Sequence, residues 1–119
     1  MLQKFPMYAY IPAKDVSRAR KFYEGKLGFK AKEETAGGVV YEFGGRTACF
    51  LYPTQNAGTS KASQAFWQVD DVERVVEELG KLGVKIDEPG IVVGGGAKAA
   101  WFTDTEGNIM ALIQNLERP

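Results

Sequence analysis

The sequence of 119 residues contains no histidine. That excludes Ser-His-Asp and Cys-His constellations, and it removes the commonest transition-metal ligand and the usual proton carrier at neutral pH. Cys49 is the only cysteine, so no disulfide can form within the chain. It stands in the run TACFLY and reads as a small buried hydrophobe rather than a nucleophile. Neither sign of charge is in excess, with 15 Lys and Arg against 15 Asp and Glu. Without a net field or a basic run, neither nucleic acid nor an anionic membrane is an expected partner. No apolar run approaches the ~20 residues that a membrane span needs. The opening MLQKFPMYAYIPAKD has no long apolar stretch and no small-residue cleavage site, so no signal peptide and a cytoplasmic location are expected.

What is present is ordinary for one globular domain, with 45% apolar and 25% charged residues. Within it lies a repeat. From Asp15 the chain reads DVSRARKFYEGKLGFK, and from Asp71 it reads DVERVVEELGKLGVK. Both copies open on Asp-Val-x-Arg and close on Lys-Leu-Gly-x-Lys, and the second is one residue shorter between them. Asp15 and Asp71 suit the helix N-cap, because a short carboxylate accepts from the free N–H groups of the first turn, although Asp70 competes for the second cap. Val16, Ala19, Phe22 and Tyr23 recur at helical spacing, as do Val72, Val75, Val76 and Leu79. Gly28 and Gly83 follow where a left-handed residue ends a helix. The spacing predicts helices near 15–26 and 71–82.

A strand rich in aromatic and β-branched residues precedes each helix, at Met7–Ile11 and Ala65–Val69. Further strands are predicted at Phe29–Thr35, Val39–Phe43 and Thr47–Tyr52 in the first half, broken by the glycine pairs 37–38 and 44–45. In the second half they fall at Val84–Asp87, Ile91–Val93, Ala99–Thr103 and Asn108–Gln114. GGRTACFL of the first copy aligns loosely with GGAKAAWF of the second. Polar, small residues at Pro53–Ser63 read either as an inert linker or as a mobile flap. The units are a first βαβββ module over 1–55, a linker over 56–63 and a second module over 64–119.

The motif PAKDVSRARKFYEGKLGF resembles the opening of vicinal-oxygen-chelate proteins, the superfamily of glyoxalases, bleomycin-resistance proteins and extradiol dioxygenases. FWQVDDVERVVEELGKLGV resembles the start of their second module, and WFTDTEGN their aromatic-x-Asp-x-x-Gly-Asn turn. The resemblance covers nearly the whole chain. It implies an α+β fold in which two tandem βαβββ modules form a cupped mixed sheet with helices on the convex side. It further implies a small-molecule ligand in the concave face and a homodimer as the assembly.

Metal-dependent members of that superfamily carry ligands at four cup positions, which the resemblance places at Tyr8, Phe50, Gln64 and Ala111. Phe and Ala coordinate nothing, a neutral Tyr is a poor ligand, and one Gln cannot satisfy a hard divalent ion that takes about six donors. No metal and no cofactor are therefore expected. Glu42 is the nearest stray carboxylate and is expected at the surface or the pocket rim. Strand alternation adds Tyr10, Tyr52, Phe66, Gln68 and Ile113 to the cup, with Trp101 joining from a neighbouring strand and Trp67 facing its helix. Such a lining suits a planar or apolar molecule held by stacking and oriented by hydroxyls and amides. Three readings remain open. The first is a metal-free binder of a small aromatic or amphipathic compound, such as an antibiotic. The second is a lyase or dioxygenase, metal-dependent or using Glu42, Tyr8 or Tyr10 as acid-base groups. The third is a dimeric domain whose cup is filled by its own side chains.

Overall fold

A computed structural model describes residues 1–117. After a short 3-10 turn at Leu2–Lys4 comes β1 (Ala9–Ala13), then α1 (Val16–Arg20), which continues as a π-helical turn (Lys21–Lys26). The first module is completed by β2 (Glu33–Thr35), β3 (Gly38–Phe43) and β4 (Thr47–Pro53). The second comprises β5 (Ala65–Gln68), α2 (Val72–Lys81), β6 (Val92–Gly94), β7 (Ala97–Thr103) and β8 (Ile109–Asn115). The sheets are four-stranded, in orders β1-β4-β3-β2 and β5-β8-β7-β6. In each the first strand pairs parallel with the last, and the other pairs are antiparallel. This is the expected α+β duplication, as two separately hydrogen-bonded mixed sheets. Among the described residues no helix is long and apolar enough to cross a membrane.

Both helices start as the sequence predicts. Asp15 accepts from the Arg18 N–H at 3.0 Å, and Asp71 from the Arg74 N–H at 3.1 Å. The one-residue difference between the copies coincides with the π-helical turn. There the Leu27 N–H reaches back five residues to the Phe22 carbonyl, whereas the Leu82 N–H reaches back four, to Glu78. A π turn absorbs one extra residue without breaking the helix, so both copies end on Leu-Gly, with Gly28 and Gly83 at φ +75° and +83°.

The strand predictions need three corrections. The first strand begins at Ala9, so Tyr8 precedes it. Val84–Asp87 forms no strand, and Phe29–Thr35 contributes only its last three residues. In both segments alternate apolar side chains (Phe29 and Ala31, Val84 and Ile86) pack against the core from irregular backbone, and that packing produced a strand-like pattern. The third correction concerns the repeat. β4 and β8 hold equivalent places in their sheets, so the counterpart of the turn at Gly44–Arg46 is the turn at 104–108, not Gly94–Gly96.

The core side of each sheet follows strand alternation. Ile11, Ala13, Val39, Tyr41, Cys49 and Leu51 meet Ala19, Phe22 and Tyr23, while Phe102, Met110 and Leu112 meet Leu79. One cluster spans both modules. Phe22 lies 6.1 Å from Phe102 between ring centroids, and Trp67 stacks on Phe102 at 6.0 Å with an 11° interplanar angle, so Trp67 faces inward as expected. Each large apolar side chain so buried contributes about 1.5–3 kcal/mol.

Polar groups lock the modules at one end. Asp104 accepts from the Tyr23 hydroxyl at 2.6 Å and from the N–H groups of Glu106 and Asn108. Glu106 accepts from Arg18 at 2.7 and 3.0 Å and from the Asp15 N–H at 2.8 Å. The Asn108 amide donates to the Pro12 carbonyl at 2.7 Å. All three side chains are buried and satisfied, as low-dielectric polar groups must be. The WFTDTEGN motif thus ties the second module to β1 and α1. The linker adds to the lock. Ala57 is fully buried, the Thr54 N–H donates to the Ala13 carbonyl, and Gly58 abuts the backbone of Glu106 and Gly107.

Candidate ligand-binding site

Each sheet is covered by its helix on one face only. On the other face of the first sheet, register places Tyr10, Phe50 and Val40 in one row across β1, β4 and β3. The Tyr10 ring lies 4.6 Å from Tyr52 at 53° and 6.3 Å from Phe50 at 62°. These are tilted and edge contacts, the geometry that the ring quadrupole favours. Tyr10 nevertheless remains 58% exposed. The second sheet presents Phe66, Ala111 and Trp101 as the equivalent row, with Gln68 and Ile113 in the next. Phe66 is also 58% exposed. Isolated exposed aromatics are unremarkable, but a row of them on each sheet is a patch of the kind that binds something.

The two open faces meet at the start of β5, where the Gln64 amide donates to the Tyr10 carbonyl at 2.9 Å. The Trp101 indole N–H donates to Ser63 Oγ at 3.1 Å, which fixes the ring at the linker's end. Of the ten residues assigned to the cup from the sequence, Tyr10, Phe50 and Tyr52 gather on the first sheet. Phe66, Gln68, Trp101 and Ile113 lie on the second, and Gln64 bridges. Tyr8 is half exposed in the segment before β1. Ala111 is 2% exposed, so it floors its row between two larger side chains and presents almost no surface. Sequence reasoning missed Val40 and Ser63. Val40 was recoverable from β3 alternation, whereas Ser63 reaches Trp101 only through the path of the linker.

The chemistry of these positions does not fit a metal. Phe50 and Ala111 offer no donor atom, and Gln64, whose amide N–H donates to the Tyr10 carbonyl, brings a single carbonyl oxygen, too few donors for a hard divalent ion. Among the described residues no group of three or more His, Cys, Asp or Glu could hold an ion. Glu42 lies on the open side of β3, opposite Ala48, is exposed, and sits 3.7 Å from Lys32. Perturbed ionisable groups lie instead on the core side. Burial pushes the Cys49 thiol up to about 12, as suits an inert small hydrophobe. Burial, then the charge and hydrogen bond of Asp104, raise Tyr23. Burial and the bond to Glu24 raise Tyr41. None of these groups faces the aromatic rows, whose side chains offer stacking surface and hydrogen-bonding groups.

Solved structures share this architecture. UcmS2 superposes with a TM-score of 0.76 at 19% identity, over 92% of this chain and 96% of that one. TnmS3, an antibiotic binding protein from Streptomyces sp. CB03234, gives 0.74 at 24% identity over 93% and 95%. Lactoylglutathione lyase from Agrobacterium tumefaciens gives 0.72 at 17% identity over 92% of each chain. At these identities the likeness is one of fold. No curated protein matches the sequence. The sequence pattern of the glyoxalase, bleomycin resistance protein and dioxygenase superfamily matches residues 4–112, so this chain belongs to that superfamily, with no cluster of His, Cys, Asp or Glu suited to a metal among the described residues.

Proposed function

We propose that this protein binds a small aromatic or amphipathic molecule on its open sheet faces without a metal. The observation that carries the reading is the pair of aromatic rows, Tyr10 with Phe50 and Phe66 with Trp101, on the open faces, in which Phe50 and Ala111 stand where the resemblance puts metal ligands. A planar ligand would stack on these rings, and the Tyr10 and Tyr52 hydroxyls and the Gln68 amide would orient it. The fold relative TnmS3 is an antibiotic binding protein, which makes aromatic antibiotics the first compounds to try. A second copy of the chain completing the face is part of this proposal, because a patch of exposed Tyr and Phe favours association.

The test is a fluorescence titration against a broad panel of neutral and amphipathic aromatic compounds. The response should come from Trp101 and disappear in Trp101→Phe, and Tyr10→Ala should weaken binding by roughly tenfold, the scale of one aromatic contact. Silence across the panel would remove the proposal. Stoichiometric Zn, Ni, Mn or Fe in protein purified without chelators would remove its metal-free part.

A further inference from the structure

The duplication gives the molecule two equivalent ends, and only one is closed. At the closed end the turn at 104–108 inserts Glu106 against Arg18 and the Asp15 N–H. At the other end the equivalent turn is Gly44-Gly45-Arg46, which carries a cation and no carboxylate. Arg74, the repeat's counterpart of Arg18, turns to its own neighbour Asp70 at 2.7 Å. The counterpart of the Asp15 N–H is that of Asp71, which has no protein partner among the described residues. Arg46 forms no ion pair among the described residues either. In place of an inserted turn there is a cleft of about 950 Å³, lined by Arg46, Phe66, Trp67, Gln68, Gln114 and Asn115 among others. That volume lies at the upper end of the range for small-molecule sites. Gln114 spends its carbonyl oxygen on the Val72 N–H at 2.9 Å, which leaves its amide N–H groups as donors.

The group missing from the turn at this end, by comparison with the other, is an anion. The surroundings supply a guanidinium, amide donors, two aromatic side chains and one carboxylate, Asp70, which Arg74 pairs at 2.7 Å. We infer that the cleft beside Gly44–Arg46 is a second binding site, for a small aromatic carboxylate whose anionic group takes the place that Glu106 fills at the closed end. A guanidinium binds a carboxylate through paired N–H donors, and Phe66 and Trp67 offer apolar surface to the ring. This cleft shares Phe66 and Gln68 with the open face proposed above. Its anion contact depends on Arg46 and Gln114 rather than on Tyr10 and Phe50.

Naphthalene-2-carboxylate and its neutral counterpart naphthalene-2-methanol are titrated calorimetrically into the intact protein, and amide shifts are mapped by NMR. The carboxylate should bind more tightly than the alcohol, and its shifts should centre on Gly44–Thr47 and Asn115. Arg46→Ala should weaken the carboxylate about tenfold, the scale of one charge-assisted bond, and leave the alcohol unchanged. Arg46 is exposed on a turn, so the variant is expected to fold, and an unchanged amide spectrum elsewhere checks this. Equal affinity for both probes, indifference to Arg46→Ala, or shifts confined to Tyr10 and Phe50 would each overturn the inference. The last result would leave the open-face proposal standing, and carboxylate binding at the cleft together with silence of Trp101 across the whole aromatic panel would do the reverse.

Discussion

Replacing Glu106 with Gln should remove most of one acid-sensitive contribution to stability. The Glu106 side chain is fully buried, and its Arg18 partner is 52% exposed. The hydrogen bond from Arg18 is the largest influence on the carboxyl. With smaller help from the Asp15 N–H and the Thr105 hydroxyl, it holds the group at about 2 against an ordinary 4.5, despite the opposing cost of burial. The folded value is depressed, so the stabilisation is complete above pH 4.5 and is lost as pH falls toward 2. By linkage that gap is worth about 3 kcal/mol at neutral pH, of which roughly 2 kcal/mol is gone by pH 3. Gln keeps the shape and an acceptor oxygen but not the charge. Glu106→Gln should therefore lose about 2 kcal/mol at pH 7, a large part of an ordinary stability margin. Its own loss between pH 7 and pH 3 should be smaller than that of the parent protein. Glu24, held low chiefly by Arg20, and Glu73, held low by Lys98, titrate in both proteins, so the difference between the curves isolates Glu106. Urea unfolding followed by circular dichroism at both pH values measures it. Parallel acid losses in the two proteins would refute the reasoning, because they would mean that Glu106 titrates normally and that the lock is not electrostatic.

Tyr23→Phe removes the buried bond to Asp104 and should cost about 1–2 kcal/mol by the same unfolding assay. Gly58→Ala should cost more than Gly45→Ala. Both positions have positive φ, but a Cβ at Gly58 would collide with the Glu106 carbonyl, whereas one at Gly45 meets open space. The control should lose only the backbone strain of about 1–2 kcal/mol, and equal midpoints for the two would show that the linker is not docked. Cys49, buried with its thiol at about 12, should resist a thiol reagent at pH 8 in the native protein and react fully in urea. Fast labelling without denaturant would show that β4 opens readily.

Much of the architecture was legible because it is written locally. The Asp caps, the Leu-Gly helix ends and the alternation along β3, β4 and β5 each depend on residues within a few positions, and all appear in place. Boundaries failed where packing imitated pairing. Val84 and Ile86 alternate like a strand because both pack against the core, yet β6 holds the edge position beside β7. Of the open face, Tyr10, Phe50, Phe66 and Trp101 could be read from alternation once the cup was assumed. The burial of Ala111 could not, because it depends on what its neighbours cover.

By itself, the sequence determined that two copies of one module are present and that histidine chemistry is excluded. Composition and short-range periodicity carry such information without reference to the rest of the chain. The tertiary structure alone decided that the ends of the duplication differ. Asp104, Glu106 and Asn108 read as a polar turn, and Gly44-Gly45-Arg46 as a tighter one. Only the packing of α1 against one turn makes the first a buried lock, with Tyr23, Arg18 and Pro12 brought to it across some ninety positions of chain. The second is left beside a cleft. Interactions at that sequence separation leave no periodic trace, because each partner is locally an ordinary surface residue until the fold removes the water between them.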